Sequence, residues 1–481
     1  MNYLNKIPAP LQWLLIVISF FIVAWAGNSI LGYLLAVLLF IWSILNPKQA
    51  VLLMIIFTPL RPYLIEYNSS LKLIGDVLIF GALLHVIWMS RKEINSLLKF
   101  HWFEIGYLGF IFIGVLSALI TGVDYGAIIF QVRAFILFYL VYYVVKRLNI
   151  TKEDVQQAFW AMFWTTVVIL IHALVEKFSI RSLLLPQAWM EMALSAKNRV
   201  RIYGLVGNPN ELAIFTGFSF MFFYYFKRFY QLAPNYLINI VLYLNVAVFI
   251  LTYSRGTWIG FGISAIVYII LTKNKKFGLD LFKYFAIAGI FFVLPINLIT
   301  NYIESTSYGT GKIQEIQQFD IEGKSGFIDR IGTTFSPDTL EGSQETGRLF
   351  IVQRGLDIFY DSPILGTGFG TYGDSATLSY GSPIYDKYDI NFKFFSDNQY
   401  IQVITQTGVI GVLLFAVFLL PMLVVSYKNR NVSKKYIFIT SILLGAFFMG
   451  LVYNLWESDV FTFMFFLYLG ITYLKKPLNL Y

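Results

Sequence analysis

The sequence predicts an all-α polytopic membrane protein of about 12–14 transmembrane helices with a large outer loop subdomain. Three observations carry that expectation. Of 481 residues, 58% are hydrophobic and 13% charged, against roughly a quarter charged in a soluble protein. The apolar residues, with aromatics at 19% of the chain, form long runs over nearly its whole length. Many of these runs reach the about 20 residues that a bilayer core of about 30 Å requires. A cytosolic enzyme is excluded. The cysteine count of zero excludes disulfides, cysteine nucleophiles and thiolate metal sites.

About 14 runs are bounded by charges or by Pro, Asn and Gly, near 11–26, 29–45, 50–66, 71–90, 103–121, 127–145, 155–175, 211–226, 234–253, 256–272, 281–300, 400–427, 436–455 and 460–474. In the third, Pro59, Arg61 and Pro62 suggest a broken or re-entrant segment. The first has no small-residue cleavage site after it and reads as a retained anchor.

Charge sets the orientation. With the N-terminus inside, the inner segments collect 19 of the 36 basic residues, among them Arg91, Lys92, Lys146, Arg147, Lys275 and Lys276. The outer turns at 122–126 and 456–459 have none, so the positive-inside rule puts both termini in the cytoplasm. Two outer segments, about 177–210 and 301–398, are too long to be mere connectors. In the second, Leu349, Val352, Leu356 and Phe359 recur at helical spacing until Pro363. The chain thus divides into N-terminal helices with the first outer loop (1–200), further membrane helices (201–300), the large extracytoplasmic loop (301–398) and the C-terminal helices (399–481).

Basic residues on the outer side run against the insertion bias and need a reason. Arg199, Arg201 and Arg255 suit an anionic group at the outer surface, since a guanidinium makes paired, charge-assisted bonds to phosphate; alternatively they reach to lipid headgroups. Arg133 lies about two turns inside the sixth run. An ionisable residue there is a functional candidate, with pairing to Asp124 or Asp76 as the structural alternative.

Four segments then carry a resemblance. They are Arg201-Ile202-Tyr203-Gly204-Leu205-Val206-Gly207-Asn208-Pro209-Asn210-Glu211-Leu212-Ala213; Ser254-Arg255-Gly256-Thr257-Trp258; Gly347-Arg348 leading to Ser362-Pro363-Ile364-Leu365-Gly366-Thr367-Gly368-Phe369-Gly370; and Ser396-Asp397-Asn398-Gln399-Tyr400-Ile401-Gln402 followed by Gln406-Thr407-Gly408-Val409-Ile410-Gly411. In order and spacing they resemble the O-antigen ligase and polysaccharide polymerase superfamily of bacterial envelopes, well over 200–411 and in hydropathy alone before that. The resemblance implies a multi-pass glycosyltransferase of the bacterial cytoplasmic membrane. Its donor is a polyprenyl pyrophosphate-linked glycan and its acceptor a glycan or lipid-linked hydroxyl. Membrane lipids and other polysaccharide assembly proteins are implied partners; no nucleic acid, cofactor or metal is. Pyrophosphate binding carries over to Arg201, Arg255 and Arg348, with Arg133 as a further candidate. Ligases of the family typically place His where this chain has Asp397, which favours a chain polymerase over a ligase. His85, His101 and His172 lie in or beside other helices and do not replace it.

The chemistry gives these residues roles. Displacing a lipid pyrophosphate needs fixed cations at the leaving group and a base at the attacking hydroxyl. Asp397 ends the large loop where the chain re-enters the membrane, so partial burial would raise its pKa toward base catalysis; the alternative is that it caps the next helix. Asn208 and Asn210 read first as a turn and helix start, then, with Asn398, as sugar or acceptor contacts. Gly323-Lys324-Ser325 lacks the first glycine of a phosphate loop. Glu457-Ser458-Asp459 suits a divalent cation, an alternative base or, more simply, a solvated turn. The rival readings are a flippase of lipid-linked sugars, for which polar residues near the midplane and repeated halves are expected, and a non-enzymatic assembly protein.

Overall fold

A computed structural model describes residues 9–230, 232–317 and 347–474. The fourteen apolar runs all coincide with helices: α1 Ala9–Ala26, α2 Ser29–Leu45, α3 Pro47–Tyr67, α4 Ile74–Met89, α5 Trp102–Thr121, α6 Tyr125–Val145, α7 Lys152–Phe178, α8 Pro209–Phe229, α9 Asn235–Leu251, α10 Arg255–Thr272, and α11, which runs from Lys275 to Ser305 through a π-helical turn at Gly289–Val293. After Ser307–Gln317 (α12) come Arg348–Asp361 (α13), Ser375–Tyr380 (α14), Gln399–Lys428 (α15), Lys434–Met449 (α16) and Asp459–Thr472 (α17). Among the described residues eight helices are long and apolar enough to cross a membrane, and four shorter apolar helices accompany them. This is an all-α polytopic membrane fold. The Gly323-Lys324-Ser325 segment lies outside the described residues.

Burial follows what a lipid solvent demands. Side chains such as Phe57, Tyr107, Phe110, Phe135, Phe215 and Phe418 are buried between helices, whereas Trp25, Leu38, Phe282, Phe291 and Leu298 point outward. Apolar side chains on the outside are expected where the surroundings are lipid tails.

Two expectations change. Pro59 and Pro62 lie inside one continuous helix, α3, so the third run is neither broken nor re-entrant. Each proline removes one helical hydrogen bond, and neighbouring elements supply the confinement that keeps such a helix intact. The run 436–455 leaves the helix early, at Gly450, because Gly450 carbonyl accepts the Gln399 amide and the chain turns to build the site. The helical spacing before Pro363 corresponds to α13, whose buried residues are Ile351, Gly355 and Ile358. Gly355 decides this: a side chain there would collide with Ile401 and Thr405 of α15.

Two glycine motifs lock α13 and its following loop onto the bundle. Gly368 (φ +97°) and Gly408 (φ +57°, a break within α15) adopt left-handed backbone. Their neighbours pair directly, Thr367 amide with Thr405 carbonyl (3.1 Å) and Gly368 amide with Gln406 carbonyl (2.7 Å). A Cβ on Gly368 would overlap the Ala118 backbone of α5, so only glycine fits.

Candidate active site

The motif opening α8 and the motif opening α10 form one unit. Asn208 caps α8, its side chain accepting the Asn210 amide at 2.8 Å and the Glu211 amide at 3.4 Å. That satisfies donors every helix start leaves open. Ser254 donates to Pro209 carbonyl and lies 2.9 Å from Asn210 Oδ1. Arg201 spans both: its Nε donates to Thr252 carbonyl (2.8 Å), and its Nη2 to Asn210 Oδ1 (2.9 Å) and Ser254 Oγ (2.8 Å). Neutral oxygens therefore fix its direction. Arg255 follows Ser254 in the chain and is exposed at the first turn of α10. One residue on, Gly256 packs against Val452 in the loop between α16 and α17.

That loop joins the two motifs to the others. Arg348 Nη2 donates to Val452 carbonyl at 3.4 Å and stands 3.8 Å from Asp397 Oδ2. Both side chains of this pair stay accessible, at 59% and 40%, so it is an open contact and not a sealed ion pair. Asp397 has left-handed backbone, φ +46°, a conformation Asp tolerates better than most residues. Asn454 holds both its neighbours: its Oδ1 accepts Ser396 Oγ (2.7 Å) and the Asn398 amide (3.2 Å), and its Nδ2 donates to Gly373 carbonyl (2.9 Å). Asn398, not Asp397, caps α15, so the capping alternative for Asp397 falls to its neighbour. Partial burial raises the Asp397 pKa above its ordinary value, while Arg348 and then Arg201 pull it back. Those two arginines thus share one electrostatic environment with Asp397, and Arg255 borders the same loop.

Other candidates go elsewhere. Arg133 Nε reaches both oxygens of Asp76, at 2.9 and 2.8 Å, and its Nη2 donates to Lys72 carbonyl. It is an interhelical tie, the structural alternative weighed for it. Beside it Arg61 pairs with Asp459 at 2.6 Å. The turn Glu457-Ser458-Asp459 is neither solvated nor a cation site, because each residue is drawn to a different partner. Glu457 accepts from Ser375 amide and Oγ (2.9 and 2.6 Å) and from Gln402; Ser458 donates to Glu211 (2.8 Å). Among the described residues no group of three or more His, Cys, Asp or Glu is placed to hold a metal ion. Burial raises both Glu457 and nearby Asp374, whose carboxylate accepts Gly370 and Thr377 amides and Gln406 Nε2. This polar seam seats the loop after α13 on the bundle.

The sequence reading misses Ser254 as the partner of Arg201, Asn454 as the clamp on Asp397, and Glu211 with its donor Tyr453 (2.8 Å). Asn454 lies inside the run 436–455, where no local signal set it apart.

Arg348 and Asp397 thus meet beside the loop that Gly256 also packs against, with Arg201 in electrostatic reach of Asp397. A family model described as O-antigen ligase matches residues 240–416, a span that includes Arg255, Arg348 and Asp397. That span is similar to the O-antigen ligase family, and the resemblance to the O-antigen ligase and polysaccharide polymerase superfamily is borne out. The function is glycan processing of the ligase or polymerase type. No curated protein matches the chain.

Proposed function

We propose that the protein is an extracytoplasmic-face glycosyltransferase that polymerises lipid-linked oligosaccharide repeats into a surface polysaccharide. The observation that carries this reading is Asp397, half-buried and held in a strained conformation, facing Arg348 within the electrostatic reach of Arg201. The acceptor hydroxyl gives its proton to Asp397 while its oxygen bonds to the anomeric carbon of the donor sugar. The bond from that carbon to the pyrophosphate oxygen breaks, and the polyprenyl pyrophosphate leaves with the electron pair. Arg201, Arg255 and Arg348 stabilise the departing charge from fixed positions, which is worth more in a site of low dielectric than in water. Asn210 is occupied with Arg201, so its role is to aim that arginine; Asn208 and Asn398 serve as caps. The basic residues of the inner segments support cytoplasmic termini, and on that reading the site faces outward from the cytoplasmic membrane.

Ligation of a finished glycan onto another carrier is the second reading, favoured by the description of the matching family model. Gel analysis of lipid-linked and surface glycan from cells lacking the protein, complemented with wild type or Asp397→Asn at matched expression, separates the two. A ladder with wild type and single repeats with the variant supports polymerisation. Long chains that stay on the lipid carrier in the variant assign a ligase, and intermediates trapped facing the cytoplasm assign a flippase.

A further inference from the structure

At the end of the bundle opposite the candidate site, a cavity of about 530 Å³ opens between the end of α2, the start of α3, the end of α4 and the turn after α6. Its polar wall holds Lys48, Gln49, His85 and Arg147, and no acidic side chain lines it. Lys48 is tethered outside the lining by Asp154, at 2.8 Å. Arg147 hydrogen-bonds to neutral groups: its Nη atoms donate to the carbonyls of Tyr143, Ser96 and Leu97, and its guanidinium stacks on the Tyr143 ring at 3.6 Å. Its Nε is buried and finds no acceptor in the protein, an arrangement that is costly for a cationic donor. The cavity's other wall is apolar. Leu45 and Met89 are 51% and 69% exposed on the outside of the bundle, and next to Met89 the exposed Trp88 carries the Arg91 guanidinium over its ring at 4.1 Å. Trp with a basic partner is the pairing that anchors helices at the level of lipid headgroups.

We infer that this cavity binds a phosphate, and specifically the phosphate of an anionic phospholipid from the adjoining leaflet. The lining carries Lys48 and Arg147 with no acidic residue, which suits an anion, and the exposed Leu45 and Met89 beside them suit acyl chains that a soluble phosphate does not have. Basic pockets between membrane helices on the cytoplasmic side commonly take such headgroups. The site is independent of the chemistry at Asp397.

The test is native mass spectrometry of the full-length protein released from vesicles of mixed phosphatidylglycerol and phosphatidylcholine. Wild type is expected to retain one phosphatidylglycerol in preference to phosphatidylcholine. Retention should fall about fivefold in Lys48→Gln or Arg147→Gln and about thirtyfold in the double variant, with melting in phosphatidylcholine alone confirming that each is folded. If the double variant does not fold, Lys48→Gln carries the test, because Asp154 keeps its bonds from Thr151. Equal retention of the two lipids by wild type, or retention unchanged in folded variants, overturns the inference. Displacement of the lipid by millimolar inorganic phosphate would show a soluble phosphate as the occupant and overturn the lipid assignment.

Discussion

Two groups of arginines lie near the loop that leads into α17, and they differ in what holds them. Arg133 and Arg61 each meet a carboxylate at close range, Asp76 and Asp459. Arg201 is braced by a carbonyl, an amide oxygen and a hydroxyl, and Arg348 stands 3.8 Å from a half-exposed aspartate. A guanidinium clamped by a carboxylate ties helices together and has little field left for a substrate. Arg201, aimed by a carbonyl, an amide oxygen and a hydroxyl, instead lends its field to Asp397. The residue type is the same in both groups, and the partner decides the role.

Substitutions can break or sharpen that contrast. The largest effect is expected for Asp397→Asn. Loss of a general base costs on the order of a hundredfold to ten-thousandfold in turnover. The melting temperature in detergent should hold or rise slightly, because burial already disfavours the charged form. Its raised pKa also sets the sign of the pH dependence. Activity needs the ionised carboxylate, so the rate should fall as pH drops through a value above the ordinary carboxylate pKa of about 3.9, as read from the acid limb of a rate profile.

Arg201→Gln comes next, with a loss of about a hundredfold to a thousandfold. Arg201→Lys should recover little of it, since lysine cannot reach Thr252, Asn210 and Ser254 together. Asn454→Ala should lower kcat by up to about a hundredfold through misplacement of Asp397 while leaving KM nearly unchanged, and a merely destabilising change would not produce that split. Arg133→Gln belongs to the other group. It should destabilise the protein by about 3–5 kcal/mol by stranding Asp76, measured by thermal unfolding, and should leave turnover per folded molecule within about twofold of wild type. The double variant Arg133→Gln with Asp76→Asn should regain part of that stability.

Much of this was legible in the sequence, for different physical reasons. Membrane helices announce themselves because each must be apolar over a fixed length, and so all fourteen runs correspond to helices. The four motifs located Arg201, Arg348 and Asp397, which the structure brings into one electrostatic environment, and Arg255, whose neighbour Gly256 packs against the same loop as Arg348. The break suggested at Pro59 and Pro62 did not occur because contacts from other elements overrode the local signal. Side-chain partners were the least legible. Asp76 and Asp124 were equally available to Arg133 on paper, and 57 residues of chain separate Arg133 from the aspartate it takes. Asn454 was invisible for the same reason, being 58 residues from the serine it holds.

We propose that what holds each arginine separates substrate chemistry from scaffold in this protein. The most direct test is the glycan length distribution from cells carrying wild type, Arg201→Gln or Arg133→Gln at equal levels of folded protein in the membrane. The account predicts a full ladder for wild type and Arg133→Gln and single repeats for Arg201→Gln. A full ladder from Arg201→Gln, or its loss in Arg133→Gln, would contradict it.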